Sequence, residues 1–100
     1  MKFEQKVLEL CCKIPKGKIT TYKLLAKALG NENAFRAVGN ALKKNRRPIV
    51  IPCHRVVKSN GQVGNYSLGV KKKIELLKRE GINIQKGKIK NFEDVLFSFK

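Results

Sequence analysis

Proline and glycine cut this chain into short pieces, and that punctuation limits the fold more than any other feature. Ile14-Pro15, Gly30, Pro52, Asn60-Gly61 and Gly81 interrupt the sequence at intervals. Proline forces the residue before it away from the α region, and glycine favours the left-handed turn that stops a helix. No apolar run approaches the ~20 residues of a membrane span. No period supports a coiled coil, a solenoid or a collagen-like repeat.

Between the breaks, apolar residues recur at helical spacing. Phe3, Val7, Leu10, Cys11 and Ile14 predict a first helix over residues 2–13, and Lys16-Gly17-Lys18 is a turn. Thr20 or Thr21 caps a second helix by accepting a backbone N–H. Leu24, Leu25, Ala28 and Leu29 form its stripe, and Gly30 stops it. Asn31-Glu32-Asn33 supplies the next cap. A third helix then runs from about Ala34 to Lys44, with Phe35, Val38, Ala41 and Leu42 inward and Arg36, Gly39, Asn40 and Lys43 outward. Two helices joined by a short turn, the second with a basic outer face, read as a helix-turn-helix. Gly39 costs that helix ~1 kcal/mol relative to alanine, which suits a place where a ligand approaches the backbone.

Asn45 to Pro48 breaks the pattern, and Ile49, Val50 and Ile51 read as a short buried strand. Lys58-Ser59-Asn60-Gly61 is a turn carrying a hairpin signal, and residues 64–69 form a loop. Residues 70–80 form a fourth helix with Val70, Ile74 and Leu77 inward. Ile82 and Ile84 alternate before a turn at Lys86-Gly87-Lys88. Phe92, Val95, Leu96, Phe97 and Phe99 are many apolar residues for a tail and predict that it packs on the domain. The fold class is mainly α with a small β element. One domain over 1–81 carries an extension over 82–100.

One hundred residues suffice for one domain and leave no room for two. Lys and Arg number 23 against 7 Asp and Glu, a net charge of +16, far more than solubility needs. Such an excess points to a polyanion as partner. The start is too polar for a signal peptide. Three cysteines, two of them adjacent, make no disulfide framework and place the chain in a reducing, cytoplasmic setting. A zinc site fails too, because Cys11, Cys12, Cys53 and His54 come as adjacent pairs rather than at ligand spacing.

Pro52-Cys53-His54-Arg55 is the chemical focus. A thiol is a strong nucleophile only as thiolate, and an ordinary cysteine with pKa ~8.5 is mostly protonated at neutral pH. His54 is the one histidine in the chain and the natural base. Neighbours on a flat strand point to opposite faces. The pair therefore needs a turn after Pro52 or a bridging water. A carboxylate on the far imidazole nitrogen would fix the tautomer. Glu80 is the acid in an odd place, at the negative end of a helix, where the macrodipole disfavours it by about a few tenths of a kcal/mol. A buried structural cysteine beside a satisfied histidine is the bland alternative.

Ile51-Pro52-Cys53-His54-Arg55-Val56 resembles the active-site motif of the O6-alkylguanine-DNA alkyltransferases, the methylated-DNA–protein-cysteine methyltransferases. Ile14-Pro15-Lys16-Gly17 with Thr21-Tyr22 resembles the family's IPxG…SY segment. Arg36-Ala37-Val38-Gly39-Asn40-Ala41 resembles its RAVGxA recognition helix. Gly64-Asn65-Tyr66-Ser67 resembles its substrate loop, and Leu76-Leu77-Lys78-Arg79-Glu80-Gly81 its LLxxEG end. The resemblance spans roughly residues 3–81 in family order. It implies the family's winged helix-turn-helix-like C-terminal domain, without the N-terminal domain many relatives carry.

The resemblance also implies a function and residue roles. The substrate is double-stranded DNA containing O6-alkylguanine or O4-alkylthymine, with the damaged base flipped out of the duplex. Cys53 would take the alkyl group in a single turnover. His54 would deprotonate it through a water, Glu80 would orient His54, and Asn45 would tie the active-site turn. Tyr22 would act near N3 of the base. Tyr66, Ser67 and Val56 would line the base pocket. Thr21, Tyr22, Lys23, Asn31, Arg36, Ala37, Gly39 and Ser59 would contact DNA, with Arg36 as a finger in the stack. No metal, cofactor, membrane or partner subunit is implied. Leu68 stands where relatives often carry a small residue and would narrow the pocket. Two rivals remain. One is an alkylated-DNA sensor without chemistry, although such proteins replace the reactive cysteine. The other is a plain winged-helix DNA-binding protein.

Overall fold

The computed structural model describes residues 2–47 and 49–99. Helix α1 (Phe3–Cys11) leads through a turn to strand β1 (Thr20–Thr21) and helix α2 (Tyr22–Ala28). A single 3-10 turn at Glu32–Ala34 joins α2 to α3 (Phe35–Lys43). Another at Cys53–Arg55 runs into β2 (Val56–Val57), and α4 (Val70–Arg79) follows the loop. The tail adds a small hairpin of β3 (Ile84–Gln85) and β4 (Lys88–Ile89), then the short helix α5 (Phe92–Val95). The fold is mainly α with small β elements.

The caps explain where α2 and α3 begin. Thr21, not Thr20, caps α2: its hydroxyl accepts from the backbone N–H of Leu24 at 3.0 Å. Asn31 accepts from the N–H of Asn33 at 3.0 Å and opens the turn before α3. The inward face of α2 differs from the expected stripe. Ala26 is fully buried and Ala28 is exposed, because α2 packs against α3 and its connecting turn.

Two apolar clusters fill the interior. Val7, Cys11, Ile14, Leu25, Val38, Ala41, Cys53 and Val56 belong to the first. Ile19, Val57, Val63, Leu77, Ile82, Ile84 and Ile89 form the second. The parallel ladder of Thr20 with Val56 and Thr21 with Val57 runs between them. Successive side chains on a strand point to opposite faces, so Val56 enters one cluster and Val57 the other. The tail packs on both. Phe97 and Phe99 lie against the first cluster, and Phe92, Val95 and Leu96 against the second. Backbone bonds from Ile19 N–H to Val95 C=O and from Phe97 N–H to Ile19 C=O fasten it beside β1.

The buried strand expected at Ile49–Ile51 does not form. Asn45 folds the chain there instead. Its Oδ1 accepts from Arg47 N–H at 2.9 Å and its Nδ2 donates to Ile51 C=O at 3.1 Å. Ile49 and Val50 face outward, 48% and 75% exposed. Ile49 has a φ of 77°, a region a β-branched residue rarely enters. The Asn60-Gly61 turn does form, with Gly61 N–H bonded to Lys58 C=O. Its flanks share one further bond, Lys58 N–H to Gln62 C=O, but do not extend into a hairpin, because Gln62 pairs with Lys88 of β4 instead.

Candidate active site

Pro52 precedes a 3-10 turn at Cys53–Arg55, so Cys53 and His54 do not alternate as they would on a flat strand. Cys53 opens onto a cavity of about 900 Å³, and His54 lies buried behind it. The outer face of α3 supplies one wall, through Phe35, Arg36, Gly39, Asn40 and Lys43. The loop of Asn65, Tyr66, Ser67 and Gly69 supplies the other, and Tyr22, Lys23, Lys58 and Ser59 complete the rim. Gly64 makes that loop possible. It holds a φ of 78°, and a Cβ there would stand 3.2 Å from the hydroxyl of Tyr22.

The sulfur of Cys53 receives a hydrogen bond from Asn45 Nδ2 at 3.1 Å. Burial pushes its pKa up, while the Asn45 bond and the Lys73 ammonium pull it back. Behind the sulfur, His54 Nε2 lies 3.1 Å from Glu80 Oε2. Arg55 grips the same carboxylate with both ends of its guanidinium. Its Nε donates to Oε1 at 2.9 Å and its Nη2 to Oε2 at 2.6 Å. Its Nη1 donates to the carbonyl of Ile14 at 2.7 Å, which ties the network to the end of α1.

Burial alone would raise the Glu80 carboxyl, but the hydrogen bonds from Arg55 and His54 hold it below the usual range. It is therefore an anion at neutral pH and can only accept. His54 Nε2 must then carry the hydrogen, and burial keeps the ring neutral by lowering its pKa. Nδ1 is left with a free lone pair. It is buried and has no hydrogen-bond partner among the described residues, as is the hydroxyl of Tyr66. A base, a thiol and an unpaired tyrosine hydroxyl thus converge beside one cavity. Burial, reinforced by the nearby Cys53, pushes both Tyr22 and Tyr66 up to about 12, so each keeps its proton to donate.

Cys53, Tyr22, Tyr66, Ser67, Lys23, Arg36, Gly39 and Ser59 share the cavity. Asn45, His54 and Glu80 stand behind Cys53 rather than in its wall. Val56 is fully buried beneath, with its carbonyl turned to Lys73. The Thr21 hydroxyl is taken up by its cap, so it supports Tyr22 and Lys23 from below. Asn31 and Ala37 are exposed outside the cavity. Phe35 faces the cavity instead of the core. Leu68 is 47% exposed and is not among the lining residues, so it does not narrow the pocket.

Sequence reasoning missed Lys73, which is fully buried where Val70 was expected. Val70 is 43% exposed. The signal was present: Lys73 lies three and four residues before Leu76 and Leu77, on one helix face.

Residues 2–82 match the model of the 6-O-methylguanine DNA methyltransferase, DNA binding domain. The chain belongs to this family. The methylated-DNA–protein-cysteine methyltransferase of Saccharolobus islandicus is 50% identical over 82 residues, covering 82% of this chain and 52% of that protein. A bifunctional methyltransferase/endonuclease of Thermoplasma volcanium is 49% identical over 86 residues, 84% of this chain and 27% of that one. The chain thus spans between about a quarter and a half of the curated relatives it matches. Among solved structures, the O6-methylguanine-DNA methyltransferase of Pyrococcus kodakaraensis superposes with a TM-score of 0.74 at 47% identity, over 82% of this chain and 47% of that one. S. pombe Atl1, in complex with damaged DNA containing O6-carboxymethylguanine, superposes with a TM-score of 0.86 at 31% identity. That match covers 98% of this chain and 99% of Atl1, so the tail beyond Gly81 is also part of a known architecture.

Proposed function

We propose that this domain repairs double-stranded DNA by moving the alkyl group of O6-alkylguanine, and of O4-alkylthymine, onto Cys53 once per molecule. One observation carries the reading: a single cavity holds both the Cys53 sulfur and the outer face of α3. A base that leaves a duplex lying against α3 meets that sulfur. Flipping costs about a few kcal/mol and least for a mispaired damaged base. Arg36 offsets part of that cost by filling the vacated space. Lys23, Ala37, Gly39, Asn31 and Ser59 lie against the duplex, and Thr21 acts through its cap. The surplus of 16 positive charges supplies salt-dependent affinity for phosphates.

His54 Nδ1 takes the thiol proton through one water, and Glu80 holds the ring in the tautomer that can accept it. The thiolate attacks the alkyl carbon, the bond from that carbon to O6 breaks, and guanine leaves with the electron pair. Donors near O6 and N3 lower the barrier by meeting this charge, the roles assigned to Ser67 and Tyr22. Guanine then takes up a proton. The thioether has no good leaving group, so the thiolate is not regenerated. All three cysteines are free, which fits work in a reducing cytoplasm.

A non-catalytic sensor of alkylated DNA is the second reading; the end-to-end match with Atl1, solved in complex with damaged DNA, supports the binding that both readings need. Intact mass after incubation with O6-methylguanine DNA separates the two. One methyl mass located on Cys53, absent in Cys53→Ala, is expected. Tight lesion-selective binding with no mass change would replace repair with sensing.

A further inference from the structure

The tail hairpin is built onto the frame of the cavity. Lys58 and Ser59 stand on the cavity rim, and Asn65, Tyr66 and Ser67 in its wall. The chain between them, residues 61–63, takes β4 along one edge. Gln62 pairs with Lys88 in an antiparallel bridge. Ile89 N–H bonds to Gly61 C=O at 2.8 Å, and Val63 N–H to Gly87 C=O at 3.0 Å. The hairpin thus runs from the Asn60-Gly61 turn to the start of the loop that walls the cavity, with its tip beside that loop.

Alternation decides which side chains face out. Val63 and Ile89 enter the second cluster, so Gln62 and Lys88 point the other way. Lys58 N–H bonds to Gln62 C=O at 2.8 Å, and Lys88 is in register with Gln85. Lys58, Gln62, Lys88 and Gln85 therefore form one exposed row across neighbouring strands. At a strand spacing of about 4.8 Å, Lys88 lies roughly 10 Å beyond the rim lysine. Lys86 and Lys90 are exposed on either side of it. Among the described residues, no ion pair engages Lys58, Lys86, Lys88 or Lys90. The tip also breaks a local rule. Lys86 has a φ of 52° and Gly87 of 76°, so both turn positions are left-handed. Such turns favour Asn, Asp or Gly, because a larger side chain strains that backbone. A lysine there works against folding, and departures of this kind mark functional positions.

We propose that this hairpin is a second phosphate-holding surface for the duplex that lies on α3, with Lys86, Lys88 and Lys90 extending the rim of Lys58 and Ser59 along the DNA backbone. The inference rests on the reading of α3 as the duplex face. Duplex DNA carries one negative charge per ~1.7 Å of its axis, so an extended row of ammonium groups beside the cavity meets phosphates whatever the sequence. Lysine meets a phosphate as a point charge on a flexible stem and reads no base. The hairpin therefore adds affinity and no lesion preference, which stays with the cavity.

Equilibrium binding of the full chain to a fluorescent duplex across a range of salt concentrations tests this. With Lys86→Gln, Lys88→Gln and Lys90→Gln combined, the slope of log K against log [salt] should be shallower by about 2–3, close to one per lost contact. The fold-loss in affinity should be the same for an undamaged duplex and for an O6-methylguanine duplex, both measured in a Cys53→Ala background so that no transfer intervenes. A loss confined to the damaged duplex overturns the proposal. The charge-matched control is Lys2→Gln, Lys6→Gln and Lys13→Gln, exposed positions within and flanking α1, which lines no part of the cavity. An equal change of slope in the two sets, or none in the hairpin set, overturns it too. Lys86→Asn separates contact from folding. Asparagine suits the left-handed turn, so the melting temperature should rise while the slope becomes shallower by about one. A native slope in that variant overturns the role of the tip. Hairpin-dependent binding with no methyl on Cys53 would sink the repair reading and leave this surface standing. Methyl transfer with an indifferent hairpin would do the reverse.

Discussion

The two apolar clusters lie on either side of one short strand, yet only one borders the proposed chemistry. The first holds Cys53, the proposed nucleophile, and is bordered by Asn45, His54, Lys73 and the cavity. The second is hydrocarbon throughout and is completed by the tail. The difference teaches that the candidate site is made of polar groups placed against an apolar wall, while a separate set of side chains forms a purely hydrocarbon core. Alternation along β2 divides the two, through Val56 on one side and Val57 on the other.

The largest effect that can break this division is expected in the hydrocarbon cluster. Leu77→Ala removes a fully buried side chain and should cost about 2–5 kcal/mol of unfolding free energy in urea. The pH profile of Cys53 carboxamidomethylation by iodoacetamide should stay unchanged at low temperature. A shifted profile would mean the clusters are one unit. Next in size, Glu80→Gln should slow methyl transfer about 100-fold, because it removes the anion that fixes the His54 tautomer. It should also strand Arg55, so single-turnover kinetics and a melting curve should both move. A full-rate variant would remove Glu80 from the mechanism.

Thr21→Ala strips the cap from α2, at the boundary between the clusters, and should cost about 1 kcal/mol in the same urea measurement. The smallest expected effect sharpens the contrast through pH. His54 is held neutral by burial, so its native pKa lies below its unfolded value of 6.5. The stability it contributes is complete above pH 6.5 and is lost as pH falls toward its native value. Glu80 adds a second loss at lower pH, since its native pKa lies below 4.5 and its stabilisation disappears as pH falls through that value. The urea midpoint should therefore fall gently from pH 7 to 5.5, and His54→Gln should flatten that slope.

Much of the site was legible because its residues break local rules. Cys53 and His54 are adjacent, and Glu80 is a carboxylate at the wrong end of a helix. The helix-turn-helix was legible from its caps and spacing. What escaped was decided by partners distant in sequence. Ile49 and Val50 read as buried because three apolar residues in a row usually are, but the Asn45 side chain turns them into solvent. Lys73 looked like one more surface lysine beside Lys71 and Lys72. Only the fold reveals the two carbonyls that take it inside.

The ladder joining Thr20 to Val56 has a consequence for the chain before it is finished folding. It closes the longer excursion, and Glu80 reaches His54 across 26 residues. Such contacts of high sequence separation form late. A nascent or heat-opened chain therefore holds Cys53 without the Asn45 bond and without the His54–Glu80 pair, and the proposed single transfer waits until the architecture is complete.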